Sequence, residues 1–358
     1  MTTAGTGERA QRILIVGTGH IANRHAEVFA GIPGCALVAG VDTNAGRLAA
    51  FAADHGIAET FTSLDAAIAW GAFDAAVNAT PDAVHKPTSL QLIAAGKAVF
   101  CEKPLATGYG DAAEMTRIAE AAGVVNMVNF TYRNAAAIQL ARRLVTEGQL
   151  GTVRHIEASY LQSWLTARHW GDWRTDERWL WRLSTAHGST GVLGDIGIHL
   201  LDFVTWGSAL EVTALHARMK TFDKVEGGSI GAYRLDANDS AAVTAEMSNG
   251  ALAVIHMTRF ATGKLNDLDL AIYGDRGACR IWANHLDSRL EVCLGDDAET
   301  QTWTGMACPP VPRNEQRFAA ALGSGINGEP DFRRAADVQK LLDLCFDSNR
   351  EGRLLRVE

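Results

Sequence analysis

The chain has 358 residues, of which 47% are hydrophobic and 21% charged, with a net charge of −8. That length suits two domains, or one large domain with an appendage, and the composition is that of a globular chain able to bury a large core. The charge is modest and no basic block occurs, so nucleic acid is not an expected partner. No run of about 18 apolar residues occurs, so no membrane association is expected.

The opening stretch MTTAGTGERAQR is polar and has no apolar signal-peptide core, so a cytoplasmic location is expected. Its first eleven residues read as a tail. Arg12–Val16 is a short apolar run ending in a glycine turn, the pattern of a buried strand. A helix follows over His20–Ala30, an apolar run over Cys35–Val41 and a helix from Ala45 to His55. Strands are expected at Asp74–Asn78, Lys97–Phe100 and Val124–Phe130, the fourth, fifth and sixth of the series. Helices are expected over Val84–Ala95 and Thr107–Gly123. Alternating strands and helices with short connections give a parallel, doubly wound sheet.

Near residue 130 the rhythm changes. One more helix is expected at Ala135–Glu147. Longer alternating segments follow: Arg154–Gln162, Val212–Thr221, Ala241–Ser248, Ala251–Phe260, Leu268–Tyr273, Cys279–Trp282 and Leu290–Leu294. Asn249-Gly250 between two of them is a strong hairpin signal. A helical stretch, Gly188–Trp206, interrupts the series, and helices at Asn314–Leu322 and Phe332–Glu351 close the chain. The expected fold is α/β: a doubly wound Rossmann domain over 1–130, then an α+β domain over 131–358 with an open, mainly antiparallel sheet. An exposed sheet face of this kind is sticky, so a homodimer or homotetramer is expected.

The first strand runs into Gly17-Thr18-Gly19-His20-Ile21-Ala22, a G-x-G-x-x-A turn. The first glycine permits the tight turn, the second lets backbone approach a pyrophosphate, and Ala22 allows close helix–strand packing. The helix N-terminus then offers N–H groups to the phosphates. Asp42, twenty residues beyond Ala22 and at the end of the second strand, suits the adenosine ribose hydroxyls and repels a 2′-phosphate. The expected cofactor is therefore NAD rather than NADP. Asn78-Ala79-Thr80-Pro81 follows the fourth strand at the carboxyl end of the sheet, where ligands of such folds bind. Asn78, Thr80, Pro81 and His85 are further cofactor candidates. A plain turn explains this segment almost as well.

Cys101-Glu102-Lys103-Pro104-Leu105 follows the fifth strand, and Gly194-Asp195-Ile196-Gly197-Ile198-His199-Leu200-Leu201-Asp202 comes about ninety residues later. Together with the glycine turn, these segments resemble the E-K-P motif and D-x-G-x-H-x-x-D helix of the Gfo/Idh/MocA dehydrogenases. The resemblance implies that Lys103, Asp195 and His199 form the catalytic constellation. His199 would be the base, Asp195 its assistant or a substrate contact, and Lys103 the electrostatic partner. Glu102 and Pro104 would position Lys103, and Glu102 and Lys103 are further cofactor candidates. The residues make chemical sense, since oxidising an alcohol needs a base for the hydroxyl proton and a cation for the developing negative charge. Asp195, His199 and Asp202 would also share one helix face. Six cysteines occur without C-x-x-C or zinc spacing, so no metal is expected. Two departures from the family pattern border the expected pocket: Trp181-Arg182-Leu183-Ser184 places Ser in the position of an Asp, and the family's glycine run reads Ser189-Thr190-Gly191.

Five of nine tryptophans fall between Trp164 and Trp181, interleaved with arginines and His169. Aromatic faces stack on sugar rings, and Arg and His bind hydroxyls. The same composition also suits a subunit interface. Tyr132, Arg133, Trp164, His169, Trp173 and Arg182 are the substrate candidates, with Lys103, Asp195 and His199. The expected reaction is NAD-dependent oxidation of a secondary hydroxyl on a sugar, sugar derivative or cyclitol. Two alternatives stand beside it: a lyase or hydrolase that oxidises transiently and returns the hydride, and a non-catalytic dinucleotide sensor.

Overall fold

The structure, a computed structural model, describes residues 10–284 and 287–358. The expected tail lies outside the described residues up to position 9. The chain forms two compact units. One runs to Phe130 and takes in Pro312–Gln339; the other comprises Thr131–Val311 and Lys340–Glu358.

The first unit is built from β1 (Gln11–Val16), α1 (His20–Ala30), β2 (Cys35–Val41), α2 (Ala45–His55), β3 (Glu59–Phe61) and α3 (Leu64–Trp70). It continues through β4 (Ala75–Asn78), α4 (His85–Ala94), β5 (Ala98–Cys101), α5 (Tyr109–Ala122) and β6 (Asn126–Val128). The strands pair in parallel in the order β3-β2-β1-β4-β5-β6. This is the Rossmann order. Helices cover both faces, so β4 and β5 are buried along their whole length. Ala22 and Ala26 are small enough to seat α1 beside Ile13, Ile15 and Phe100 in the core. The third strand and α3, which no sequence segment marks clearly, are short; β3 has three residues, two of them exposed.

The second unit begins with α6 (Ala136–Thr146), β7 (Val153–Gln162), the single turn α7 (Glu177–Leu180), α8 (Ile198–Ser208) and β8 (Val212–Lys220). A small ribbon, β9 (Ser229–Ile230) with β10 (Tyr233–Arg234), precedes the main run of strands. These are β11 (Ser240–Met247), β12 (Leu252–Thr258), β13 (Asn266–Gly274), β14 (Gly277–Asn284) and β15 (Asp287–Leu294). The short α9 (Asp297–Thr300) and β16 (Thr304–Met306) follow, and β17 (Leu355–Arg356) adds the far edge. The nine-stranded order is β16-β15-β14-β13-β7-β12-β11-β8-β17. Every described pair is antiparallel except β7 with β12.

Along β11 and β12 buried and outward residues alternate, because one sheet face packs inside and the other is open. Asn249-Gly250 makes the β11–β12 turn, with Gly250 at φ +83°. Leu252 and Val254 stand out on the open face.

The last two long helices are α10 (Asn314–Ser324) and α11 (Phe332–Glu351). A boundary at 130/131 assigns both to the second domain. The structure instead groups Pro312–Gln339 with the Rossmann unit. The cause is packing, since Phe318 of α10 sits edge-on to Phe29 and tilted against Phe100 in that unit's core. No helix of the described residues is long and apolar enough to cross a membrane.

Candidate active site

The cofactor end of the Rossmann unit starts where β1 and β4 run side by side, pairing Val16 with Asn78. Gly17 follows at φ +82°, and a Cβ there would lie 2.7 Å from the Ala79 carbonyl oxygen. Only glycine fits. Gly19 is the residue before α1, and its Cβ position opens onto unfilled space. A closed turn under an open cradle at a helix N-terminus fits a pyrophosphate. Thr18 is buried in the turn, and His20 and Ile21 open the helix.

Asp42 takes five donors. Oδ2 accepts from the Thr18 N–H (2.9 Å), the Thr18 hydroxyl (2.9 Å) and Arg47 Nε (2.9 Å). Oδ1 accepts from the Asn44 N–H (2.8 Å) and Arg47 Nη2 (2.7 Å). Burial alone would raise the carboxyl, but the bonds from Arg47, Asn44 and Thr18 outweigh it and hold the group well below the usual carboxylate range. Arg47, whose side chain is 51% exposed, is a residue that sequence reasoning missed. It sits five positions past Asp42, in the first turn of α2.

Three of the expected cofactor residues turn their side chains into the protein. Asn78 is wholly buried and spends its amide on the His85 carbonyl and Ser89 hydroxyl, while its oxygen takes the Thr80 hydroxyl. His85 is also wholly buried. Its Nδ1 lies 2.6 Å from the Pro104 carbonyl oxygen and its Nε2 2.8 Å from that of Thr80. Carbonyls only accept, so both ring nitrogens donate and the ring is an imidazolium. Burial opposes the charge, but Cys101, the Pro104 carbonyl and Asp82 favour it and raise the group to about 10. His85 thus fastens the Thr80 turn to the E-K-P loop. Glu102 is turned inward onto His25 and Asn129, and its second oxygen takes the Lys103 N–H at 3.2 Å. Thr80 and Pro81 remain at the surface of the turn.

In the second unit a π turn, Leu193–Gly197, feeds into α8. Small residues are forced here. A Cβ on Gly194 would strike the Thr190 hydroxyl, and one on Gly197 would lie 2.7 Å from the Met257 sulfur on β12. The widened turn separates the fates of the residues expected on one face. Asp195 accepts from Arg259 Nη2 at 3.0 Å and lies 3.9 Å from Arg182 Nε. Asp202 forms a two-pronged bond with Arg133 (2.6 and 2.7 Å), both buried, with the guanidinium 3.6 Å over the Trp206 ring. Arg133 is therefore an internal brace.

His199 lies between these residues on α8, 8% exposed, with the Tyr132 ring edge-on at 5.3 Å. Tyr132 bonds the Tyr160 hydroxyl and accepts from Asn266 Nδ2 at 3.2 Å. Burial, then Tyr132 and Asp195, push the Tyr160 phenol well above its ordinary range, so it stays protonated.

The tryptophan segment forms its own small core. Trp164 and Trp173 pack with Leu165, Leu180, Leu183 and Leu235, and Trp173 donates to the Leu165 carbonyl. His169 is exposed beside Trp170. Arg182 reaches over the faces of Trp179 and Trp181 towards Asp195. Arg259, wholly buried at the end of β12 and 5.0 Å over Trp164, also donates to the Arg182 carbonyl. Sequence reasoning missed it. The available signal was an arginine directly after the alternating run that forms β12.

Residues 11–130 match the family described as an oxidoreductase family with an NAD-binding Rossmann fold, and residues 138–280 match the GFO/IDH/MocA C-terminal domain. The chain is 27% identical over 290 residues to levoglucosan dehydrogenase of Pseudarthrobacter phenanthrenivorans, spanning 74% of this chain and 70% of that protein. It is 27% identical over 360 residues to D-glucoside 3-dehydrogenase of Escherichia coli, spanning 97% of each. A solved levoglucosan dehydrogenase in complex with NADH and L-sorbose shares the fold, with a TM-score of 0.87 at 22% identity over 98% of this chain and 100% of that one. With a match to each of its two halves, the chain belongs to the Gfo/Idh/MocA family of NAD-binding oxidoreductases.

Proposed function

We propose that this protein oxidises a secondary hydroxyl of a sugar, a sugar derivative or a cyclitol, with His199, Asp195 and Lys103 as its catalytic residues. The observation that carries the residue roles is the Arg259–Asp195 pair. A carboxylate held by a buried guanidinium is a weak base and a good fixed acceptor. Asp195 therefore orients a substrate hydroxyl, and the proton goes to the neighbouring imidazole of His199. The Lys103 ammonium favours the alkoxide that forms as the proton leaves. NAD, held on the Gly17–Gly19 cradle and by Asp42, supplies the hydride acceptor. The sugar-acting relatives support the substrate class, and the two carbohydrate dehydrogenases named above favour a ring hydroxyl.

Arg182, bridging Asp195 and the tryptophan faces, is the side chain of the segment we assign to substrate. The buried Trp164 and Trp173 shape the pocket from behind. We assign the open sheet face, with Leu252 and Val254 exposed, to a homodimer or homotetramer contact. A cytoplasmic location fits the six free cysteines.

The test is purified protein with NAD and a panel of monosaccharides, anhydrosugars and inositols, followed by absorbance of the reduced cofactor. Net NAD reduction on a panel member is expected. No reduction on any of them, with turnover on a non-carbohydrate alcohol, sinks the substrate class. Lys103→Met and His199→Asn should each lower kcat by about a thousandfold while NAD still binds. Undiminished turnover in either variant sinks the residue assignment.

A further inference from the structure

His25 on α1 has no exposed surface, and both of its ring nitrogens face carboxylates. Nε2 lies 2.8 Å from Glu102 Oε1, and Nδ1 lies 2.9 Å from Glu315 Oε1 on α10. A neutral imidazole has one N–H and would turn a lone pair on one of these oxygens. With both carboxylates ionised, the ring is an imidazolium that donates to each.

The network extends from there. Glu102 Oε1 also accepts from Asn129 Nδ2 at 2.6 Å, and Asn129 in turn accepts from Asn314, the neighbour of Glu315, at 3.0 Å. Glu102 Oε2 accepts the backbone N–H of Lys103 at 3.2 Å. The charged groups that face the ring are Glu102, at the end of β5, and Glu315. Phe100 of β5 packs edge-on at 5.3 Å. Behind the two carboxylates, Lys103 bears on Glu102 and Arg24 on Glu315. Burial works against the ring's charge, but the carboxylates win and raise it to about 9. Burial likewise works against ionised Glu102, whose partners His25, Asn129 and Lys103 lower it to about 2.

We propose that His25, backed by Glu315, is a positioning residue for the reaction: it holds Glu102 turned into the core, and Glu102 holds the backbone of Lys103. A buried carboxylate stripped of its cation is costly and turns to the next cation available. For Glu102 that cation is Lys103, whose ammonium would then be drawn off the reacting oxygen. The imidazolium removes that competition. This inference rests on the role given to Lys103 above.

Two measurements test it. In histidine-labelled protein without NAD or substrate, the nitrogen shifts of His25 at pH 8 should be those of a doubly protonated ring. In Glu315→Gln they should move towards a neutral ring. A neutral His25 at pH 8 in the parent overturns the proposal. In turnover, His25→Asn should lower kcat at least tenfold. The KM for the sugar and the Kd for NAD should stay within threefold, and the deuterium isotope effect on kcat should rise as hydride transfer becomes slower. A merely structural role would reduce the active fraction and leave the isotope effect alone. Glu315→Gln should give a smaller loss, and the double variant no more than His25→Asn by itself, since both act through one chain of bonds. Unchanged kcat and isotope effect in His25→Asn overturns the proposal. Should that variant not fold, Glu315→Gln carries the same two readouts. Lys103→Met with undiminished turnover would instead overturn the reading of Lys103, and the charge state of His25 is measured independently of it.

Discussion

Arg259 donates through Nη2 to Oδ2 of Asp195 at 3.0 Å, the guanidinium wholly buried and the carboxylate side chain 29% exposed. The pair is one-sided. Its cation is locked in the wall while its anion faces outward, so the arginine fixes the direction in which the acceptor points. Arg259→Leu should lower kcat/KM for the sugar by about tenfold to a hundredfold through lost orientation of Asp195. It should also cost about 1–3 kcal/mol of stability, less than for a fully buried pair because water reaches the remaining carboxylate. Steady-state kinetics and chemical denaturation check the two effects. A variant with unaltered kcat/KM would remove Asp195 orientation from the mechanism.

Asp42 and Arg47 predict how the cofactor preference can be moved. Asp42 gives charge against a 2′-phosphate, yet Arg47 neutralises much of it from a partly exposed position. Asp42→Ser should free the guanidinium for a phosphate and raise the ratio of kcat/KM for NADP over NAD by about a hundredfold. Arg47→Ala should move the ratio the other way. Movement of both variants in one direction would show that the pair does not set the preference.

Gly17 gives a test of the cradle. Gly17→Ala places a methyl group 2.7 Å from the Ala79 oxygen at φ +82°. The strain should cost about 1–3 kcal/mol and weaken NAD binding with it. Thermal unfolding and fluorescence titration with NADH would register the two losses; a Kd equal to the parent's would place the dinucleotide elsewhere.

The buried charges give a pH dependence with a definite sign. His25 is raised from 6.5 to about 9, so its contribution to stability is complete below pH 6.5 and fades as pH rises through 9. Glu102 is lowered from 4.5 to about 2, so its contribution is complete above pH 4.5 and fades as pH falls through 2. Between pH 6.5 and 9 the Tm of the parent should fall faster than that of His25→Asn, and the two curves should run parallel from pH 5 to 6. Parallel curves across the alkaline range would mean that the ring is neutral.

The fold was legible wherever the chain repeats one period. Apolar runs marked β1, β2 and β4, and alternation marked β7, β8 and β11–β15, because one side of each strand of the open sheet is buried. Glu59–Phe61 carried no such mark, being short and mostly exposed. The boundary after residue 130 followed the change of rhythm, but Phe318 belongs by packing to a core some 200 residues earlier in the chain, and local pattern carries no record of that. Motif spacing found Gly17, Gly19 and Asp42. It also pointed to Asn78 and His85, which the structure places under the turn rather than on it. A motif marks which residues a site requires, whether they touch the ligand or hold up those that do. Arg47 and Arg259 escaped for the opposite reason: each acts as the countercharge of a motif residue and belongs to no motif itself, while Glu315 lies one step further out, behind His25 and Glu102.

The placement of α10 has a consequence for synthesis. Translation delivers all six strands of the Rossmann sheet by Val128, but Phe318 and Glu315 emerge nearly two hundred residues later. Until then Phe29 and Phe100 have each other but not the Phe318 ring, and His25 holds one carboxylate where it is built for two. The nucleotide-binding half of the nascent chain is therefore unfinished while the whole sheet of the other half up to β16 is being made. A ribosome stalled at Val311 would display it with a greasy, half-charged gap along α1, a place for a chaperone to hold.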